Sequence, residues 1–385
     1  MRSLDLHDLD PAVRLAGILD AAPTATGGLA LSRLPRAAID QIIDPVLLWI
    51  ASAPSGARLE FTSTTTAIEV DVQLTGLAYG DDSPPPAVFD LVIDGSLVAS
   101  RTASDGHAVR IRDRTNPASI GFDIGGPATI RFDDLPLDAK AIEIWLPANA
   151  SVELLAVRID DDADLTATAP APRRWVHYGS SISHCMEAAR PTGVWPVIAA
   201  RAAGVDLQSL AIAGQAQLDQ FAARTIRDLD VDLISAKIGI NLVNADSMRE
   251  RTFVPAVHGF LDTIRDGHPT TPIIVLTPIT CPVVEDAPGP TATDAFGTCV
   301  RVDRPTALAE GSLTLTSIRR LLGLVVEQRQ AAGDAHLHLI EGTELFGPDD
   351  VGDLPDGLHP NAAGYARMGD RFHALAFGPG GPFGS

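Results

Sequence analysis

Lysine is almost absent from this chain of 385 residues, which carries it only at Lys140 and Lys237. The 29 basic residues are outnumbered by 49 acidic ones, the formal net charge is −20, and no run of basic residues occurs. Nucleic acids and anionic membrane surfaces attract clustered lysine and arginine. We therefore expect neither nucleic acid nor a membrane as a partner of this protein.

Long apolar runs and cysteines are also scarce. No stretch approaches the ~18 consecutive apolar residues of a membrane span, and the N-terminal MRSLDLHDLD lacks the apolar segment of a signal peptide. The three cysteines, Cys185, Cys281 and Cys299, are too few for a disulfide scaffold or a four-cysteine zinc site. We expect reduced, buried thiols in a cytoplasmic protein, with a Cys281–Cys299 bridge as the alternative.

The first half of the chain carries the pattern of half-buried β-strands. Between about 58 and 160 apolar residues recur at every second position, as in IEVDVQL at 68–74. Asp94-Gly95 stands between two apolar runs and predicts a tight hairpin turn. Several short strands without intervening helices predict an antiparallel β-sandwich of jelly-roll type, preceded by a helical lead-in at 11–19 and 35–43.

The second half alternates strands with helices. Short apolar runs such as VDLISAKI and PIIVLTPI are separated by helical patterns at 253–267 and 315–333. This alternation predicts an α/β domain with a doubly wound parallel sheet. The acidic, proline-containing segment at 161–174 reads as a linker. We therefore divide the chain into a β-sandwich domain at 1–165, an α/β domain at 166–378 and a flexible tail at 379–385.

Four of the predicted strands are followed by residues with catalytic potential. Ligands of doubly wound sheets bind at the carboxyl ends of the strands, and these ends carry Ser181, Gly214, Asn241, Asp356 and His359. A nucleophilic hydroxyl needs a base, a carboxylate that orients the base, and donors for the oxyanion. Ser181 would attack, His359 would take its proton and Asp356 would hold the imidazole. The amides of Ser181 and Gly214 and the side chain of Asn241 would bind the oxyanion.

These residues stand in four blocks that resemble the SGNH, or GDSL-type, hydrolase superfamily. In the order of that family, and over roughly 175–375, the blocks are Gly179-Ser180-Ser181-Ile182, Gly214, Gly239-Ile240-Asn241 and Asp356-Gly357-Leu358-His359. Taken singly, Ser181 would be explained as a helix cap and Gly214 as a turn residue. Four blocks in family order favour catalysis instead. The resemblance implies a flavodoxin-like sheet, a serine nucleophile and no cofactor.

One block departs from the family pattern, because Ser180 stands where the family has aspartate. The family's register assigns the nucleophile to Ser181, and Ser180 and Ser183 are the alternatives. The β-rich first half is similar to that of the two-domain subgroup, in which a β-sandwich precedes the hydrolase domain. That architecture also occurs in some carbohydrate esterases.

Several other residues lie near the blocks in sequence. His177, His184 and Trp195 are predicted pocket residues, with core packing as the alternative. His336 and His338 alternate along one strand and would offer two metal ligands, but no third ligand stands beside them. No glycine-rich nucleotide-binding motif follows a strand. We therefore expect neither a metal nor a nucleotide cofactor.

The predicted function is that of a serine esterase. It would hydrolyse short-chain acyl esters, acetyl above all, of a polar or carbohydrate alcohol through an acyl-enzyme. Aromatic residues form only 5% of the chain, and no apolar lid adjoins the blocks to cover a long acyl chain. Glu187 and Arg190 would border the cleft or lie on a solvated helix face.

Other functions fit the same pattern. The alternatives are a lipase-like esterase or acyltransferase acting on longer acyl chains, and a carbohydrate-binding protein with an idle hydrolase domain. The expected partner is a small-molecule or carbohydrate ester substrate. The sequence leaves the oligomeric state and the natural substrate open.

Overall fold

The computed structural model describes residues 1–6, 10–113 and 116–384. The chain divides into two compact units that are interleaved in sequence. The first unit comprises Met1–Pro172, Ala188–Val197 and Asp206–Ser209, and the second comprises Arg173–Glu187, Ile198–Val205 and Leu210–Ser385. No helix in the described part of the chain is both long enough and apolar enough to cross a membrane.

Most of the first unit is built from β-strands. In chain order these are β1 (Arg2–Ser3), β2 (Arg14–Ala16), β3 (Asp20–Pro23), β4 (Leu29–Ser32), β5 (Arg58–Ser63), β6 (Ile68–Tyr79), β7 (Ala87–Ile93), β8 (Ser96–Ala103), β9 (His107–Asp113), β10 (Asn116–Asp123), β11 (Ala128–Phe132), β12 (Lys140–Trp145), β13 (Ala150–Ile159) and β14 (Leu165–Thr166). Two short helices, α1 (Arg36–Ile39) and α2 (Pro45–Ser52), lie between β4 and β5.

These strands form two sheets. One has the order β10-β9-β6-β13-β4-β3, with β1 beside β13 and β11 beside β6, and the other has the order β14-β5-β12-β7-β8, with β2 beside β5. Buried and half-buried residues alternate along the whole of β6, as the sequence pattern predicts. Side chains of both sheets, such as Val70 and Phe61, join one hydrophobic cluster. One pair, β6 and β9, is parallel, which differs from the antiparallel arrangement predicted.

Two local predictions in this unit have opposite outcomes. The hairpin between β7 and β8 is present, and Asp94 and Gly95 have φ angles of 47° and 76°, both positive as a type I′ turn requires. The helical lead-in at 11–19 is wrong, because this segment contains β2 and pairs with β5. Arg14 Nε donates to Glu60 Oε2 at 2.7 Å across that pair. The partner strand lies far along the chain, so no local periodicity reveals it.

The second unit is organised around a parallel sheet. The strands of this sheet are β15 (Arg174–Tyr178), β17 (Leu233–Lys237), β18 (Ile273–Leu276) and β21 (Leu337–Ile340), all in the second unit, and β16 (Asp206–Ser209), which is counted with the first unit. The spatial order β16-β15-β17-β18-β21 is the flavodoxin-like order, and the described pairs are parallel. The predicted α/β fold with a parallel sheet is thereby confirmed. A separate antiparallel hairpin, β19 (Thr291–Thr293) and β20 (Cys299–Arg301), was not predicted.

Helices connect the strands of this sheet and follow the last of them. They are α3 (Ser181–His184), α4 (Trp195–Ala203), α5 (Gln220–Asp228), α6 (Ile240–Asn244), α7 (Glu250–Gly267), α8 (Leu315–Ala331), α9 (Gly342–Leu345) and α10 (Ala362–Phe372). Short 3₁₀ turns occur at Pro191–Gly193, Thr306–Leu308 and Pro348–Asp353, and a π-helical turn follows α10 at His373–Phe377.

The segments predicted as linker and tail carry defined structure. β14 lies within the predicted linker and pairs with β5, so the predicted boundary after residue 165 divides a strand. In the predicted tail, Phe383 is 1% exposed, its ring lies 5.3 Å from that of Phe377, and its carbonyl accepts from Arg173 Nη1 at 2.8 Å. Burial of this aromatic ring packs the tail onto the second unit, whereas the sequence predicts a flexible segment. All three cysteines are free thiols and buried.

Candidate active site

The candidate nucleophile lies where β15 leads into α3. Gly179 and Ser180 connect the two elements, and Ser181 is the first residue of α3. A Cβ atom at Gly179 would lie 2.4 Å from Ser183 Oγ, so the turn accepts no larger residue without a shift. Ser181 Oγ lies 2.8 Å from His359 Nε2. Such a hydrogen bond is what a general base needs to activate a serine hydroxyl.

The three serines of this turn differ in their surroundings. Ser183 Oγ lies 2.8 Å from His177 Nε2, but both side chains are fully buried and no substrate reaches them. Ser180 Oγ is buried and has no hydrogen-bond partner. Ser181 keeps 7% of its surface exposed beside His359. Among the three, Ser181 alone therefore combines a basic partner with access to solvent.

The histidine and its carboxylate share one loop before α10. Asp356 Oδ2 lies 2.6 Å from His359 Nδ1. The other carboxylate oxygen, Oδ1, accepts from the amides of Leu358 at 2.9 Å and His359 at 2.7 Å. Gly357 has a φ of +80°, a conformation that glycine adopts readily. The tight loop thus fixes the carboxylate through its own backbone and leaves one oxygen for the imidazole.

The charges of this pair stabilise each other. Burial by itself would raise the pKa of Asp356, but the hydrogen bond and charge of His359 outweigh it and hold that pKa below its usual range. Burial would lower the pKa of His359, but the carboxylates of Glu187 and Asp356 outweigh it and raise that pKa above its usual value. The site therefore favours the protonated imidazole that forms when a base accepts a proton.

Three hydrogen-bond donors lie at the ends of neighbouring strands. The amide of Ser181, the amide of Gly214 and the Nδ2 group of Asn241 make no hydrogen bond within the described residues. The Ile212 amide donates to Gly179 O at 2.8 Å and ties the chain before Gly214 to the nucleophile turn. Asn241 Oδ1 accepts from the Ala216 amide at 3.1 Å, which leaves Nδ2 for another acceptor.

The loop that carries Asn241 depends on a glycine. Gly239 has a φ of +133°, and a Cβ atom there would lie 2.8 Å from side-chain atoms of Ile318 and of Pro278. A larger residue would meet both backbone strain and a steric clash. This glycine allows α6 to begin directly after β17 and sets the position of Asn241.

The predicted pocket residues are enclosed by the protein. His177, His184 and Trp195 are each 0% exposed, and Trp195 belongs to the first unit. His177 Nδ1 lies 2.7 Å from Ser235 Oγ, and burial lowers the pKa of His177 to about 3. A side chain without exposed surface offers nothing to a substrate. Core packing, the alternative given for these residues, describes them.

Glu187 makes a contact with His359 that the sequence did not reveal. Its Oε1 atom lies 3.8 Å from His359 Nδ1, and its Oε2 atom accepts from the Tyr365 hydroxyl at 3.1 Å. The sequence places Glu187 near the cleft but shows no link to His359. The one available signal is its spacing of six residues from Ser181, which is too weak to identify a contact.

In the part of the chain that the structure describes, the donor groups near the site do not form a metal site. Among the described residues, no three His, Cys, Asp or Glu side chains are grouped so that they could hold an ion. His336 and His338 flank Leu337 of β21. The pKa of His338 is lowered, mainly by burial and to a smaller extent by the neighbouring His336. The arrangement around Ser181 instead offers a hydroxyl, a base, a carboxylate and free donors, which is the set that acyl transfer uses.

Comparison with known proteins also points to acyl-transfer chemistry. Residues 172–282 match the family model of the GDSL-like lipases and acylhydrolases. The matched segment covers less than a third of the chain. It contains Ser181, Gly214 and Asn241, while the block with Asp356 and His359 lies beyond it. The resemblance inferred from the four blocks is confirmed, and the family supports the prediction of a carboxylic ester hydrolase.

Solved structures match almost the full length of this chain. The salicylyl-acyltransferase SsfX3 from a tetracycline biosynthetic pathway has 27% identity and a TM-score of 0.78, with 96% of this chain and 95% of that chain covered. A GDSL-like lipase candidate from Bacteroides ovatus has 19% identity and a TM-score of 0.65, with coverage of 94% and 95%.

A family two carbohydrate esterase from Clostridium thermocellum, solved as an active-site mutant, has 14% identity and a TM-score of 0.61, with coverage of 95% and 97%. At such identities the last two structures show a shared fold and nothing more. None of the curated proteins compared with the chain matches it.

Proposed function

We propose that the protein is a serine esterase that forms an acyl-enzyme on Ser181. Ser181 Oγ attacks the carbonyl carbon of an ester, and its proton passes to His359 Nε2. Asp356 holds the Nδ1 side of the ring and stabilises the imidazolium. The carbonyl oxygen of the ester, now negative, is bound by the amides of Ser181 and Gly214 and by Asn241 Nδ2.

The second half of the reaction restores the enzyme. Collapse of the tetrahedral intermediate breaks the bond to the alcohol, which leaves with the proton from His359. His359 then takes a proton from water while the water oxygen attacks the acyl carbon. The acid is released, and Ser181 Oγ takes the proton back. The observation that carries this proposal is the hydrogen-bonded series Ser181–His359–Asp356.

The proposed substrate is a short-chain acyl ester, with acetyl as the expected group, of a polar alcohol such as a sugar. Glu187, with 41% of its side chain exposed, places a charged group beside the site. Such surroundings suit a hydroxyl-rich alcohol better than an apolar one. Several solved structures of this fold are described as carbohydrate esterases, and one as an acetyl xylan esterase. We also infer that the two sheets of the first unit form the predicted β-sandwich.

A series of esters tests the proposal. We expect kcat/KM to be highest for p-nitrophenyl acetate among the acetate, butyrate, octanoate and palmitate esters, and acetylated sugars to be deacetylated. Ser181→Ala should lose on the order of 10⁴–10⁶ in kcat while keeping its circular dichroism spectrum. A maximum at octanoate or longer would reject the short-chain substrate, and an inactive wild type would favour a carbohydrate-binding protein with an idle hydrolase domain.

A second candidate is acyl transfer to an alcohol. The observation that favours it is the 27% identity, over nearly both full chains, to a protein described as a salicylyl-acyltransferase. Transfer uses the same acyl-enzyme, but an acceptor hydroxyl replaces water in the second half. Partitioning distinguishes the two: with p-nitrophenyl acetate and added glycerol, a hydrolase releases mainly acetate and a transferase mainly acetylglycerol.

A further inference from the structure

A second carboxylate stands beside the proposed catalytic histidine. Glu187 Oε1 lies 3.8 Å from the same His359 nitrogen that Asp356 Oδ2 contacts at 2.6 Å. Tyr365 on α10 is fully buried, and its hydroxyl donates to Glu187 Oε2 at 3.1 Å. One carboxylate oxygen is thus held from the protein interior, and the other is directed at the imidazole.

The buried thiols and the phenol near the loop carry no charge at neutral pH. Cys281 Sγ donates to Gly357 O at 3.3 Å, and burial raises the pKa of Cys281 to about 12. Burial also raises the pKa of Cys299 and takes that of Tyr365 well above its usual value. Among the described residues, the charges that act on the pKa of His359 are therefore those of Glu187 and Asp356.

We propose that Glu187 is a positioning residue for His359, a second carboxylate that shares with Asp356 the stabilisation of the imidazolium. The inference rests on the proposed function, which makes His359 the base. A negative charge within about 4 Å favours the protonated ring. Because His359 becomes protonated as Ser181 attacks, Glu187 lowers the free energy of that step without touching the substrate.

The pH dependence of the reaction gives the first test. Activity requires neutral His359, so kcat/KM rises with pH through the pKa of that ring. Glu187→Gln keeps the side-chain shape and removes the charge. The rise should move to lower pH by about one unit, and kcat on the plateau should fall by roughly threefold to tenfold with KM little changed.

Two variants control for other effects of the substitution. Glu327→Gln removes one charge from an exposed position on α8 and should leave the pH profile and kcat as in the wild type. Glu187→Asp keeps the charge on a shorter side chain and should return the profile most of the way to that of the wild type. If Glu327→Gln reproduces the effect of Glu187→Gln, the effect belongs to net charge, and the proposal is wrong. If Glu187→Asp reproduces it, the effect belongs to side-chain packing, and the proposal is equally wrong.

A double-mutant cycle tests whether the two carboxylates share one role. In Asp356→Asn, Glu187 is the remaining carboxylate near His359 Nδ1. Adding Glu187→Gln should therefore lower kcat at least tenfold more in that variant than in the wild type. Equal effects in the two backgrounds would show that Glu187 acts independently of Asp356 and would overturn the proposal.

A titration without turnover separates this inference from the proposed function. The pKa of His359 can be followed by the NMR signal of its ring Hε1 in Ser181→Ala, with the signal assigned by its loss in His359→Asn. Adding Glu187→Gln should lower that pKa by about one unit. An unchanged pKa overturns the role of Glu187 even if the esterase is active. An inactive wild-type protein rejects the esterase, whatever the titration gives.

Discussion

Asn241 is held at one end of its amide and free at the other. Its Oδ1 accepts from Ala216, and Nδ2 is left for the proposed oxyanion. Because that charge exists only in the transition state, Asn241→Ala should lower kcat by about 10²–10³ with little change in KM. Steady-state kinetics on p-nitrophenyl acetate measure both values, with Asn149→Ala in the first unit as the control. A higher KM with unchanged kcat would make Asn241 a residue of ground-state binding.

Single residues also show which parts of the candidate site can be predicted from the sequence. The motif blocks predict roles for Ser181 and His359, which are 178 positions apart, and the fold supplies the 2.8 Å contact between them. Glu187 belongs to no motif. Its position follows from Cys185, which ends α3 in a left-handed conformation with a φ of 56° and redirects the chain. Glycine is the usual residue for such a cap, so the cysteine at this position does not indicate in the sequence that the helix ends here.

At the scale of elements, α3 needs side-chain contacts with neighbouring strands, because a helix of four residues has little stability of its own. Ser183 Oγ joins α3 to His177 on β15, and His177 in turn contacts Ser235 on β17. Ser183→Ala should cost about 1–3 kcal/mol of unfolding free energy, since it leaves a buried ring nitrogen without a partner. It should also lower kcat severalfold, because α3 positions the nucleophile.

The neighbouring serine is the matched control for that substitution. Ser180 Oγ has no partner to lose, so Ser180→Ala should change the unfolding free energy by less than about 0.5 kcal/mol and keep kcat. Urea unfolding and steady-state kinetics on the two alanine variants make the comparison. If Ser180→Ala abolished turnover while Ser181→Ala kept more than about a tenth of it, the nucleophile would be Ser180.

Elements with local periodicity were predictable, and elements defined by a distant partner were not. The alternation along β6 and the strands of the parallel sheet follow from hydrophobic patterns. β2 exists because β5 pairs with it, and the hairpin of β19 and β20 has no distinctive pattern. This hairpin supports the loop of the proposed catalytic residues Asp356 and His359, since the Cys299 amide donates to Asp356 O at 2.7 Å.

At the scale of the whole chain, the two units are not consecutive segments. Ala188–Val197 and Asp206–Ser209 follow the nucleophile turn in sequence but belong to the first unit. Specific polar contacts account for this: Thr192 Oγ1 donates to Asp90 Oδ2 at 2.6 Å, and Arg58 Nη2 lies 2.9 Å from Asp206 Oδ1. A composition change near 161–174 suggests a single boundary, because contacts between distant residues leave no mark on local composition.

The two lysines of the chain are both buried but differ in their hydrogen bonds, and we expect them to affect the stability of the fold in opposite directions. Lys140 Nζ donates to Pro136 O at 2.6 Å and to Thr65 O at 2.7 Å. Lys237 is 2% exposed and donates no hydrogen bond from Nζ within the described residues. The pKa of Lys237 is lowered from 10.5 to about 7, mainly by burial and to a smaller extent by the nearby positive charge of Arg319.

The lowered pKa of Lys237 determines how the stability of the fold changes with pH. Between pH 10.5 and 7 the unfolded chain binds a proton at Lys237 that the folded chain does not, so stability falls as the pH falls through that window. Lys237→Met should raise the unfolding free energy at pH 7, by on the order of 4 kcal/mol, and the gain should vanish near pH 10.5. Lys140→Met should instead lower it by about 1–3 kcal/mol, because buried carbonyls lose their donor. Urea unfolding at both pH values measures these changes, and a Lys237→Met variant less stable than the wild type at pH 7 would show that the buried ammonium stabilises the fold.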